Sequence, residues 1–347
     1  SSDDAVAAAV PTTSSTPRRK LLTKEVIAPV SFAVLLTAIF GFNYMSAGHQ
    51  PVAANMPFGL VGSSTLPHDA QGSLFSLNVI SYPDEDAAKT AMQQGKIYGA
   101  LITSDTAGTP DSLLVVPSIS DISPLDITAN FEKAAETAGE SITVSAYTPT
   151  PLAPGDPFAL VSSILPIPIL VGGYMATSML TNSQNSASGR WRGVYLLGFA
   201  IVTAVVTALI TVFWFKGLPT AAFWILIPII TLVILCVALI AAVMRRVLGP
   251  VGIFLTVIIV IQFGNPSSGG ANGSPYLPPF WDALGPFLPP RNAYLLIRDA
   301  AYFGGNNIAE PLTVLLIYVV ICATLLAVFD WFIDKPALTT PGIKDST

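Results

Sequence analysis

Apolar blocks of membrane length recur along this chain, and their spacing is uneven. One block, residues 26–45, stands alone near the start. A polar stretch follows to about residue 157, and further blocks crowd the second half. A bilayer span needs ~20 mostly apolar residues. A soluble domain does not repeat such blocks. The pattern therefore predicts a polytopic α-helical membrane protein, with six transmembrane helices and a small α/β extracytoplasmic domain between helices 1 and 2. Such a plan points to transport or envelope work.

Composition agrees. The chain is 52% hydrophobic and 11% charged, against ~25% charged in ordinary globular chains. Between residues 46 and 157 twelve Asp and Glu face only Lys89, Lys96 and Lys133. An acidic domain of this kind suits a solvated outer face. It excludes nucleic acid as a partner, since that calls for a basic footprint. Both cysteines, Cys236 and Cys322, fall in apolar blocks, so no disulfide staples the inserted domain. His49 and His68 sit in polar sequence and make no metal-ligand pattern.

Residues 1–17 read as a disordered cytoplasmic tail. Residues 18–45 form a basic anchor and the first span. Arg18, Arg19, Lys20 and Lys24 could mark a twin-arginine export signal or a positive-inside anchor. The anchor reading is preferred: the block is long enough to span, no A-x-A site follows it, and more spans come later. Residues 46–157 form the extracytoplasmic α/β domain. Strands are expected at 57–62, 74–82, 96–103, 112–118 and 141–148, and helices at 83–95 and 123–140. Strand–helix–strand order suggests a right-handed crossover in a small layered sheet. No phosphate-binding loop occurs.

Residues 158–263 hold spans two to five, at 158–180, 194–215, 221–244 and 251–263. A kink is expected in span two at Pro166, Pro168, Gly172 and Gly173. The fifth span is short. Residues 264–310 form an extracytoplasmic re-entrant or interfacial segment, 311–333 the sixth span and 334–347 a cytoplasmic tail. The basic residues Arg18–Lys20, Lys24, Arg190, Arg192, Arg245 and Arg246 then share one side, which the positive-inside rule makes cytoplasmic. That places the chain in the inner (plasma) membrane with both termini cytoplasmic. Lys216, Arg291 and Arg298 are outside exceptions.

No catalytic constellation, cofactor motif or metal cluster is evident, so no enzyme activity is expected. The spans carry almost no ionisable groups, whereas ion-coupled carriers keep such groups at membrane depth. In the 264–310 segment, prolines bracket short elements at 280–287 and 291–303. Phe280, Leu284, Phe287, Tyr294, Leu295 and Tyr302 suit a membrane-interface face, and Arg291 and Arg298 could meet lipid phosphates or an acid. An external loop packed over the span ends, with aromatics as anchors, is an equal reading.

This segment resembles the C-terminal part of ABC-2-type permeases, in particular the YhgE/Pip-like branch. The matching residues are Gln262, Gly269, Gly270, Leu277, Pro278, Phe280, Leu284, Pro286, Phe287, Pro289, Ala293, Arg298, Tyr302, Phe303, Gly304 and Gly305. "DEDAAKTAMQQGKIYGALITS" (84–104) resembles that branch's helix-then-strand phrase, and the one-plus-five span plan matches too. The chain departs in "MPFGLVGSS", which lacks the branch's acid, and in its short external domain. The resemblance implies a six-span permease-like fold and a homodimer, and leaves the substrate open.

Two functions follow as expectations. One is a permease-like subunit exporting a lipid, drug-like or cell-envelope molecule with energy from a separate ATPase. Arg190 and Arg192 would then be cytoplasmic docking residues. Tyr174, Thr177, Ser178 and Gln262 would line a pathway between spans two and five, although the same groups could simply bond between helices. The other is a non-transporting envelope scaffold or accessory protein, in contact with membrane lipids, whose acidic external domain binds a partner in an envelope protein complex.

Overall fold

The computed structural model describes residues 24–49, 51–104, 106, 108–182 and 189–333. The 1–17 tail, Arg18, Arg19, Lys20, the middle of the 181–193 loop and the 334–347 tail lie outside the described residues. The chain falls into two compact units that divide between Phe42 and Asn43. The first contains most of helix α1 (Lys24–Gly48), whose apolar side chains are mostly exposed up to Phe42. A helix that is apolar all round needs an apolar surrounding.

The second unit opens with the last turn of α1 and continues into the inserted domain. Its elements are β1 (Ala53–Val61), α2 (Leu66–Asp69), β2 (Phe75–Tyr82), α3 (Glu85–Gln93), β3 (Gly99–Ile102), β4 (Asp111–Val115), α4 (Ser123–Ala138) and β5 (Ile142–Ala146). They build a five-stranded mixed sheet of order β2-β1-β3-β4-β5. β1 runs parallel to β2 and β3, β4 runs parallel to β5, and only β3 and β4 are antiparallel. Each expected strand and helix overlaps one of these elements with its ends shifted by a few residues; β1 begins at Ala53 rather than at 57, and the short α2 was not expected.

Local chemistry explains the elements. The central β3 is short and wholly apolar, as a strand covered on both faces should be. Asp84 caps α3 by accepting the Ala87 amide at 2.8 Å. On α4, Ile127, Phe131, Ala134 and Ala135 recur at helical spacing and are buried. Phe131 stacks on Phe58 of β1 with ring centroids 4.8 Å apart. These contacts give the sheet a core with no disulfide.

The rest is helical. α5 (Val161–Ile164) and α6 (Pro166–Asn182) share one apolar stretch, interrupted at Leu165 just before Pro166. α7 (Gly189–Leu209) runs on as a π-helical turn, Ile210–Trp214. α8 (Phe223–Leu248) is followed by α9 (Pro250–Thr256), which continues as a π-helix, Val257–Phe263. Then come α10 (Pro279–Leu284), α11 (Pro289–Tyr302) and α12 (Ala309–Ile333).

Among the described residues, five helices are long and apolar enough to cross a membrane: Ile27–Gly48, Val161–Met179, Arg192–Trp214, Thr220–Leu248 and Ala309–Trp331. Helices of this length and composition are consistent with a membrane-embedded protein. Pro250–Phe263 is apolar but shorter. At ~1.5 Å per residue it reaches ~21 Å, against ~30 Å of hydrocarbon.

α8 is the hub. Ala200, Ala204 and Ala208 lie buried at every fourth position of α7, and α7 packs on α8, the small-residue contact that lets membrane helices approach closely. On α6, a Cβ at Gly173 would lie 2.7 Å from the Ile234 carbonyl oxygen of α8, so only glycine fits there.

Candidate functional site

The segment between Gly264 and Ile308 ties the sheet domain to the helices. Gly269 (φ 77°), Gly270 (φ 42°) and Gly273 (φ 89°) turn the chain left-handed after the π-helix. Pro278 precedes α10, and Pro289 and Pro290 occupy the first turn of α11, where a missing N–H does no harm. Gly304 (φ 62°) and Gly305 (φ 76°) end that helix.

Three consecutive residues of the sheet domain are held by this segment. The Ile119 carbonyl accepts from Arg298 Nη1 at 3.3 Å and from the Tyr294 hydroxyl at 3.4 Å. Ser120 Oγ donates to the Asn272 carbonyl at 2.6 Å. The Asp121 amide donates to the Ala271 carbonyl at 2.8 Å. A second contact caps α3, whose last carbonyls lack helical partners. Asn306 Nδ2 donates to the Gln93 carbonyl at 3.2 Å, and Asn307 Nδ2 donates to that of Gln94.

The clasp centres on a buried ion pair. Arg298 Nε and Nη2 each lie 3.1 Å from Asp299 Oδ1, and the two side chains are only 8% and 1% exposed. The guanidinium also lies 5.2 Å from the Tyr294 ring centroid and 5.5 Å from that of Phe303. Burial pushes the Asp299 carboxyl upward, and the adjacent guanidinium opposes this. Burial also raises the Tyr98 and Tyr294 hydroxyls, so both stay protonated.

A carboxylate pair lies beside the clasp. Asp156 is buried, with Oδ1 accepting from the Leu160 amide at 2.9 Å and Oδ2 from the Val161 amide at 2.7 Å. Burial and then the Asp156 charge push Asp121 up to about 7. An acid raised in the folded state stabilises it fully below the unfolded value of ~3.9, and that contribution is lost as pH rises towards about 7. The thermal midpoint in detergent should therefore fall between pH 5 and 7.5, and Asp121→Asn should flatten the slope. Because Asp121 is only partly buried, the change is well below the ~1.4 kcal/mol per unit of a fully buried group. Equal slopes in the two proteins would refute the assignment.

The expected site residues separate into groups. Gly269, Gly270, Pro278, Pro289 and Arg298 come together in the clasp. Phe280 and Phe287 are exposed, as an interface face requires. Tyr294 and Tyr302 are not: they are buried beneath the sheet domain and against the helices. Arg298 meets Asp299 rather than a lipid phosphate. On α6, Thr177 is buried and its hydroxyl donates to the Ala238 carbonyl of α8 at 2.7 Å, while Tyr174 and Ser178 are half-buried. Gln262 is buried, and its carbonyl accepts from Asn43 Nδ2 at 3.2 Å. Arg190 lies in the first turn of α7, and Arg192 is exposed. Ile119, Ser120, Asp121, Asp156, Asp299, Asn306 and Asn307 were not legible as site residues. Only Asp299, charged within the apolar pattern of α11, carried a sequence signal.

Beneath the clasp is a cavity of about 230 Å³ lined by Tyr44, Ser163, Ile164, Pro166, Ile167, Asn265, Ser268, Gly270, Ala271, Pro290 and Tyr294. Among the described residues no cluster of three or more His, Cys, Asp or Glu could hold a metal ion. No family model matches the chain, and no curated protein or solved structure matches it either.

Proposed function

We propose that this chain is an ABC-2-type permease-like membrane subunit that exports an amphiphilic lipid, drug-like or cell-envelope molecule, with energy from a separate ATPase. In this reading it crosses the membrane six times and works as a homodimer in the plasma membrane. The outer ends of the first and last described helices, at Lys24 and Ile333, are cytoplasmic, and the α/β domain is extracytoplasmic.

The observation that carries the reading is the cavity at the domain-side ends of spans one, two and five. A vestibule for the apolar end of an amphiphile belongs there. Which helix ends meet supports the crossing count. On the domain side, the Gly155 amide donates to the Lys216 carbonyl at 2.9 Å, Asn43 reaches Gln262, and Asn306 reaches Gln93. At the far end, Arg246 Nη2 lies 3.8 Å from Asp330 Oδ1. Pro250–Phe263 then runs from the far end to the domain side, despite its length. Its π-helical half is a feature common at functional sites. The apolar cores of the spans hold no acid or base that could relay ions, which favours an external energy source.

Thr177, expected to line a pathway between spans two and five, instead bonds to the Ala238 carbonyl of span four, and Gly173 closes on the same helix. This favours the second reading, an envelope scaffold whose acidic external domain binds a partner in a larger complex. Affinity purification of the intact protein from native membranes separates the two. The export reading predicts an ATPase in stoichiometric amount, lost on Arg190→Glu/Arg192→Glu. A larger envelope complex without an ATPase would overturn it.

A further inference from the structure

We propose that the cavity beneath the clasp holds one acyl chain of a bilayer lipid from the extracytoplasmic leaflet. The inference rests on the chain's membrane placement and on the outer position proposed above for the α/β domain, and not on export.

The membrane boundary on the domain side is marked by side chains. Phe158, Trp214, Phe215, Trp224, Phe280 and Phe287 are large, aromatic and exposed, and all sit at or beyond the domain-side ends of apolar helices. Aromatic residues collect at that level of a bilayer. The cavity lies at the same ends. Tyr44 is in the last turns of α1, and Ile164 and Ile167 are in the first turns of span two.

Its chemistry selects an uncharged guest. No Asp, Glu, Lys, Arg or His lines it, and Ile164, Ile167, Pro290 and the Tyr294 ring make it apolar. The Tyr294 hydroxyl is turned away to Ile119. The polar groups at its edge already have partners: Ser163 Oγ donates to the Leu160 carbonyl at 2.7 Å, and Ser268 Oγ to the Asn265 carbonyl at 2.7 Å. A phosphate or sugar would find no free charge and few free donors here. An uncharged pocket with apolar walls accepts a hydrocarbon guest at less cost than a polar group that would lose its water there.

Size and access narrow the guest further. About 230 Å³ is below the ~300–1,000 Å³ of sites that enclose drug-sized ligands, and suits part of a single chain. Ile164 is 56% and Ile167 44% exposed, so the apolar wall continues outward to the surface that the hydrocarbon covers. A chain can enter sideways from the leaflet without leaving an apolar surrounding.

The test uses the full chain in phosphatidylglycerol nanodiscs doped with a phosphatidylcholine that carries a diazirine in its acyl chain. Cross-linked peptides are mapped by mass spectrometry. Labelling is expected to concentrate on residues 163–167 and 290–294, above that on the exposed face of span six at Ile317, Val320 and Ile321. Ile167→Trp should fill the space and cut cavity labelling roughly tenfold, the loss expected for about two buried methylenes. Val320→Trp should leave it unchanged. Should Ile167→Trp fail to fold, Ile164→Phe is read instead, with a smaller loss. Even labelling of both faces, or labelling that a folded cavity-filling variant does not reduce, would mean annular contact only and would overturn the proposal. Co-purification of an ATPase is independent of either result.

Discussion

Arg298→Met is expected to destabilise the protein by ~3–5 kcal/mol, the usual penalty for removing one partner of a buried ion pair. The change would leave Asp299, 1% exposed, with an uncompensated charge. It would also strip the Ile119 carbonyl of its guanidinium donor and leave it only the longer Tyr294 bond. The loss falls on the clasp, so the sheet domain should loosen from the helices before it unfolds. The checks are a lower thermal midpoint in detergent and faster proteolysis within 264–308. Replacing both partners tests the cause. Arg298→Met with Asp299→Leu removes both charges together and should recover most of the stability, because a packed apolar pair often equals a buried ionic one. No recovery would mean that the bond to Ile119, and not the ion pair, holds the joint.

Gly252→Ala is expected to destabilise as well, against the direction that helix propensity gives. In an open helix position, glycine to alanine gains up to ~1 kcal/mol. Gly198 on α7 is such a position, with nothing within 4 Å of a built Cβ. At Gly252 a Cβ would lie 1.8 Å from the Met244 carbonyl oxygen, a backbone atom of α8 that cannot rotate away. Overpacking of this kind costs about 1–3 kcal/mol or more, so it outweighs the propensity gain. The turn at Gly249–Pro250 would open, and the short helix would pull Gln262 away from Asn43. Thermal midpoints of the two alanine variants should therefore move in opposite directions. A midpoint for Gly252→Ala at or above the parent would show that α9 does not pack on α8 as described.

The sheet domain was legible because its signals are local. Alternation marks β2 and β5, short apolar runs mark β3 and β4, Asp84 marks the start of α3, and the spacing of Ile127, Phe131 and Ala134 marks α4. The clasp was legible only in outline. Glycines and prolines announced its turns, and those residues make the turns. Periodicity also announced an apolar face on α11, but periodicity cannot say what covers a face. Tyr294 and Tyr302 were read either as part of a membrane-interface face or as anchors of a loop packed over the span ends, and their burial fits the second. The Arg298–Asp299 pair was hidden for a geometric reason. Adjacent residues do not face each other on a helix, and only the reach of the guanidinium closes the gap. Ile119, Asn272 and Ala271 contribute backbone carbonyls, which no side-chain pattern records. The short helix Pro250–Phe263 stayed ambiguous because its length falls between a span and a buried core helix.

The most direct test concerns which side of the membrane each end of that short helix occupies. Cys236 and Cys322, both buried, are first replaced by alanine. Thr137→Cys, Val247→Cys and Phe280→Cys are then introduced singly at exposed positions and treated with a membrane-impermeant maleimide. Six crossings with an outer α/β domain predict that the cysteines at 137 and 280 react in intact cells, and that the one at 247 reacts only after permeabilisation. Reaction of 247 and 280 from the same side would contradict it: Pro250–Phe263 would not cross, and the clasp could not join the outer domain to the returning chain.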